Sequence, residues 1–146
     1  MPAVYLLDSG PLGLLAHNRL ANRMAIESWR MNEVAAGATV YLSEVADYEV
    51  RRELVRLIQA GQLPASRLNR LNQLPTLFLY LPVTTVMWQR AAEFWADARS
   101  RGLPTASSAA LDGDVLIAAQ ASEIQATVVT TNAAHIGVWV PVKNWP

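Results

Sequence analysis

The sequence predicts an α/β fold in a single domain over residues 1–146, and three observations carry that expectation. Short β-prone runs alternate with longer helical segments. Gly37, Gly61, Gly102 and Pro104 fall where helices should stop. Hydrophobic residues make up 52% of the chain and are spread along it, with no repeat, no Ser/Gly linker and no shift in composition to mark a second domain. Such alternation is βαβ organisation.

Val4-Tyr5-Leu6-Leu7-Asp8 is short, apolar and bounded by Ser9-Gly10-Pro11. It predicts a buried strand near 3–8 whose last residue emerges at the sheet edge. Helices are expected near 11–17 and 20–35, then a strand near 39–43 and a long helix near 45–60. A further helix near 65–73 precedes a strand near 77–81 and a helix near 84–101. Residues 103–111 are small and polar and predict an exposed turn before a helix near 113–123. Strands near 126–130 and 138–142 close the chain. On the helix near 84–101, Trp88 and Trp95 are seven residues apart beside Ala91, Ala92 and Phe94, which predicts a core or dimer-packing face.

Composition excludes several kinds of chemistry. The chain has no Cys, so disulfides, thiolate nucleophiles and thiolate metal sites are absent, and its two His residues, His17 and His135, are too far apart in sequence to suggest an imidazole-rich site. No Gly-x-Ser-x-Gly elbow is present. The apolar runs are too short to cross a bilayer and no basic segment precedes the first of them, so a cytoplasmic protein without membrane association is expected. Oxygen ligands remain.

Net charge is zero, with twelve acidic and twelve basic residues. Eleven of the basic residues are Arg, and Arg51, Arg52, Arg56, Arg67 and Arg70 gather after Glu49. That cluster reads either as a phosphate-binding path or as a solvated, salt-bridged helix face. Beyond Arg101 only Lys143 is basic, so any cationic path must come from the central helices.

Three acids stand where chemistry wants them. Asp8 ends a strand, at the end where open parallel sheets bind ligands, and reads as a metal ligand or a helix cap. Glu49 lies early in a helix with Glu53 four residues on and Asp47 two back, and reads as a ligand or as a surface acid paired with Arg52 or Arg56; Glu44 is its alternative. Asp112 and Asp114 flank Gly113, so one can cap the helix while the other faces a cleft. Three carboxylates gathered in a partly buried cleft need compensation, and a hard divalent cation, Mg²⁺ or Mn²⁺, supplies it.

Read together, four motifs resemble the PIN-domain nucleases, including toxins of the VapC type, over nearly the whole chain. They are Tyr5-Leu6-Leu7-Asp8-Ser9, the Ser43 to Glu49 segment, Asp114-Val115-Leu116-Ile117-Ala118-Ala119, and Val128-Val129-Thr130-Thr131-Asn132 followed by His135. The resemblance implies a three-layer PIN-like fold with a central parallel sheet flanked by helices. It also implies a metal-dependent endoribonuclease with Asp8, Glu49, Asp114 and Asn132 as catalytic residues, the first three holding the metal. Asn132 would orient water or make one metal contact, while Ser9 and Asp112 would act through hydrogen bonds or a metal-bound water. Arg51, Arg52 and Arg56 would meet the RNA substrate.

Toxin-type relatives further imply a homodimer and a small antitoxin partner, with an apolar patch around Trp29 or Met31 as its seat. Relatives often carry Thr and Asn directly after the first Asp; Ser9 keeps a hydroxyl, and Gly10 loses the amide. A haloacid-dehalogenase-like phosphohydrolase would want a second Asp where Gly10 stands. A catalytically silent PIN-like module that binds RNA or protein is the alternative.

Overall fold

The computed structural model describes residues 2–103 and 112–146. A five-stranded, wholly parallel sheet has the order β3-β2-β1-β4-β5, with β1 Val4–Leu7, β2 Thr39–Ser43, β3 Leu79–Leu81, β4 Thr127–Thr130 and β5 Val142–Asn144. The helices are α1 Ser9–Leu15, α2 Leu20–Ala35, α3 Glu44–Gln59, α4 Asn69–Leu77, α5 Thr85–Ser100, α6 Gly113–Ile124 and α7 Ala133–Ile136, with a 3-10 turn at Ala65–Leu68. Helices lie on both sides of the sheet, which is the three-layer arrangement expected. Parallel neighbours require crossover connections, and the intervening helices are those crossovers.

β1 is the central strand, and Leu6, Leu7, Leu42, Val128 and Val129 are at most 1% exposed. Strands covered on both faces read as continuous apolar runs, as these do. Helix α6 is buried from Val115 to Ala121 and so lacks an amphipathic stripe. Its one polar member in that run, Gln120, is bonded at both ends of its amide: Nε2 donates to the Leu81 carbonyl at 2.9 Å, and Oε1 accepts from the Ser43 hydroxyl at 2.6 Å. Ser43 Oγ in turn accepts from the Ala46 amide and caps α3. The ends of β2 and β3 are thereby tied to α6.

Register decides which residues meet at the carboxyl edge of the sheet. Leu7 pairs with Leu42 on one side and Val129 on the other, and the Asp8 amide donates to the Val129 carbonyl at 3.0 Å. The segments that leave β1, β2 and β4 therefore emerge along one edge.

Several boundaries differ from the sequence expectation for physical reasons. Helix α1 begins at Ser9 and not near residue 11, because Asp8 caps it and Pro11 falls in the first turn, where its missing N–H is not needed. Helix α4 runs past Pro75 to Leu77, because Leu71 and Leu74 are locked in the core; residue 77 is therefore helical and β3 starts at Leu79. The final strand is not 138–142. The short helix α7 displaces it to Val142–Asn144, while Trp139 stacks on Phe94 with centroids 5.5 Å apart. Gly37, Gly61 and Gly102 do follow helix ends, each with positive φ. Apart from Leu103, the expected turn of 103–111 lies outside the described residues.

Candidate active site

Asp8 is 5% exposed, and its carboxylate is held from two directions. Oδ1 accepts from the Ser9 amide at 2.7 Å, and Oδ2 accepts from the Thr130 hydroxyl at 2.6 Å. The capping alternative for Asp8 is thus realised, and the Thr130 contact goes beyond it. Thr130 is itself fully buried, and its Oγ1 accepts from the Asn132 amide at 2.8 Å. One hydroxyl therefore fixes the strand-end acid of β1 and the backbone that presents Asn132. Thr130 was visible in the Thr-x-Asn motif, but its contact across to β1 could not be read from sequence.

Asn132 reaches Asp114: its Nδ2 donates to Asp114 Oδ2 at 3.1 Å, and His135 Nδ1 stands 3.5 Å from the same oxygen. Asp112 caps α6, accepting from the Val115 amide at 3.4 Å. Gly113 explains how α3 and α6 approach. A Cβ on it would lie 2.7 Å from Glu49 Oε2, so the Glu49 carboxylate rests where a side chain would otherwise be. Gly10 is also tight, since a Cβ there would stand 3.0 Å from both Oγ1 and Cγ2 of Thr131. A larger residue at position 10 would have to displace Thr131.

The electrostatics link the acids. Glu49 is pushed up to about 7, first by burial and then by the charge of Asp8, with smaller rises from Asp114 and Asp112 and with Arg52 opposing. Asp114 is raised as well, first by burial and then by Asp8 and Asp112, against His135. Among the described residues, however, no three His, Asp or Glu side chains stand close enough together to hold one ion as they are. The donor set suits a hard divalent cation in being all oxygen and in repelling itself when ionised. An ion bound by Asp8, Glu49 and Asp114 together needs these side chains drawn inward. Glu44 and Asp47 have other partners: Glu44 accepts from the Val83 amide at 2.9 Å, and Asp47 pairs with Arg51 at 2.9 Å.

A cleft of about 480 Å³ adjoins Glu49, bounded by Ser9, Gly13 and Ala16 of α1, by Glu49, Arg52 and Glu53 of α3, and by Arg67 of the 3-10 turn. Of the arginines proposed to meet substrate, Arg51 is engaged by Asp47 and by Asn72 Oδ1 at 2.6 Å, and Arg56 is held by Glu53. Arg52 is only loosely held, 3.9 Å from Glu49. Trp29 does not form an exposed patch. It packs edge-on against Tyr5 and Trp145, with centroids 5.0 and 5.8 Å away, while Met31 is 65% exposed. Trp95 packs on the core, but Trp88 is half exposed beside Tyr48 and Val83.

Residues 5–136 match the PIN domain family. The chain belongs to that family. No curated protein matches it. Among solved structures, this PIN-domain protein resembles VapBC2 from Rickettsia felis bound to a DNA fragment from its promoter, at 17% identity and TM-score 0.69, covering 98% of this chain and 99% of that one. It also resembles FitAcB from Neisseria gonorrhoeae, at 24% identity and TM-score 0.67, covering 96% of each chain. VapBC-5 of Mycobacterium tuberculosis, a member of the VapBC family of toxin-antitoxin systems, aligns at 19% identity and TM-score 0.58 over 98% of each chain. These likenesses support the fold. Among the described residues, no helix is long and apolar enough to cross a membrane.

Proposed function

We propose that this PIN-domain protein is a divalent-metal-dependent endoribonuclease and the toxin of a toxin-antitoxin pair. The observation that carries the reading is the placement of Asp8, Glu49 and Asp114 at the carboxyl edge of the sheet, with Glu49 against Gly113 and Asn132 on Asp114, where burial first and the neighbouring acids second raise the pKa values of Glu49 and Asp114. Asp8, Glu49 and Asp114 would hold Mg²⁺ or Mn²⁺, with Ser9, Asp112 and Asn132 in the surrounding hydrogen-bonded layer. Such an ion supplies an activated water and charge stabilisation on the phosphoryl and leaving oxygens.

The chain's own groups do the positioning. Thr130 and the Ser9 amide fix the rotamer of Asp8. Asn132 holds Asp114 Oδ2, and Gly113 gives Glu49 the room to approach α6. Arg52, on the cleft wall, is placed to meet a phosphate of the RNA strand, while Arg51 and Arg56 would first have to leave their acids. The family match and the VapBC and FitAB complexes among its structural relatives support an antitoxin partner. Exposed Leu20, Met24, Met31 and Val34 on α2 offer that partner apolar surface, and half-exposed Trp88 offers a homodimer contact.

The test is cleavage of single-stranded RNA in Mg²⁺ or Mn²⁺ by the wild type and by Asp8→Asn. The variant is expected to lose about a hundredfold in rate or more. It should also lose about 1–2 kcal/mol of stability, because one amide oxygen replaces two accepting oxygens. Equal metal-dependent rates would refute the assignment. The spread of the acids favours, as a second reading, a catalytically silent module that binds RNA or protein; binding without cleavage by the wild type would identify it.

A further inference from the structure

Five arginines follow Glu49 in the central part of the chain, and their side chains have different fates. Arg51 is tied to Asp47 and Asn72, Arg56 to Glu53, and Arg70 to Glu27 at 2.9 Å and the Leu15 carbonyl. Arg52 lies over the Tyr48 ring at 5.3 Å and at the outer limit of an ion pair with Glu49. Arg67 differs from all of them. Among the described residues it has no ion pair, and its Nη1 is shielded from solvent without a hydrogen-bond acceptor.

A shielded guanidinium donor without a partner is expensive, because it has given up water and gained nothing in exchange. Arg67 nevertheless lines the cleft that runs from Ser9 to Glu49. Two acids share that cleft and neither pairs with it; Glu53 is occupied by Arg56. The His17 side chain feels the same charge: its pKa is lowered first by burial and next by Arg67. The 3-10 turn thus holds an uncommitted cation at the mouth of the acid site, and a rotation of the guanidinium would turn its unmatched donor toward an acceptor lying in the cleft.

Resting on the nuclease reading above, we infer that Arg67 is a substrate-binding residue whose guanidinium takes the phosphate of an RNA strand lying in the cleft between α1, α3 and the 3-10 turn. A phosphate suits it because the guanidinium fork matches two phosphate oxygens, and because Arg67 has no acid of its own among the described residues. The contact is to backbone phosphate and carries no sequence preference. It adds Arg67 to the expected contacts from Arg51, Arg52 and Arg56, of which Arg51 and Arg56 are held by Asp47 and Glu53.

The experiment compares wild type, Arg67→Gln, Arg67→Lys and Arg90→Gln. Binding of a short labelled single-stranded RNA is followed by anisotropy in EDTA over a range of KCl concentrations, and cleavage is followed separately in Mn²⁺. Arg67→Gln is expected to weaken binding about tenfold and to reduce the slope of log K against log salt by about one. In cleavage it should raise KM with kcat little changed. Arg67→Lys should restore the slope and part of the affinity, which a packing role would not do; it also serves should the Gln variant fail to fold. Arg90→Gln, on α5 and outside the lining of the cleft, should bind as wild type does. Unchanged affinity and slope in Arg67→Gln, or loss in Arg67→Lys as large as in Arg67→Gln, overturns the inference. A wild type that binds RNA through Arg67 but never cleaves it overturns the nuclease reading alone.

Discussion

Replacing Glu49 with Gln tests whether the acid site is electrostatically strained. Glu49 moves from an ordinary 4.5 to about 7 in the folded protein, chiefly through burial and the charge of Asp8. The folded chain then holds a proton that the unfolded chain has already released, so stability falls as pH rises from about 4.5 to about 7 and levels off above that. Taken at full value the shift is worth about 3.4 kcal/mol. The Glu49 side chain is 25% exposed at an open cleft, so solvent screening reduces this to on the order of 1–2 kcal/mol. At about 2–4 °C per kcal/mol for a chain of this size, Glu49→Gln should melt about 2–8 °C above wild type at pH 8 in EDTA. The two should nearly coincide at pH 4, where Glu49 is protonated in both folded and unfolded chains. Calorimetric or circular-dichroism melts across this range measure the difference. Mn²⁺ at pH 8 should reverse the order by stabilising the wild type more than the variant. Melting curves that keep a constant offset from pH 4 to pH 8 would refute the argument that Glu49 is strained by its neighbours.

Thr130→Val keeps the shape of a fully buried side chain but removes the hydroxyl that serves both Asp8 and the Asn132 amide. It should cost about 2–3 kcal/mol in denaturant unfolding and lower the nuclease rate at saturating RNA; an unchanged midpoint would show that water replaces the hydroxyl. Gly113→Ala should leave helix α6 intact yet push Glu49 away, so the Mn²⁺-induced rise in melting temperature should shrink as for an affinity about tenfold weaker. A rise equal to wild type would mean that Glu49 has no part in holding the ion.

The sequence by itself determined the class of fold, because buried strands and their crossover helices carry their own periodicity: all five strands were foreseen, four of them within a residue or two. It also determined the chemical type of the site, since a chain without Cys and with two separated His residues has chiefly oxygen donors to offer. The ends of elements were less legible. Helix α1 starts early because Asp8 caps it, α4 runs through Pro75 because Leu74 is buried, and the last strand shifts because α7 intervenes. Only the tertiary structure decided the partners of each polar group. Thr130 and Asp8 are 122 residues apart in sequence, and Ser43 and Gln120 are 77 apart, and neither hydrogen bond leaves a local trace. The arginines make the same point. Arg51 and Arg56 find acids on their own helix, three or four residues away, whereas Arg67 lies on a short turn that the fold sets beside the cleft, where none of the described acids pairs with it. Charge is written in the sequence, but which charges are left for a ligand depends on what packing places within reach.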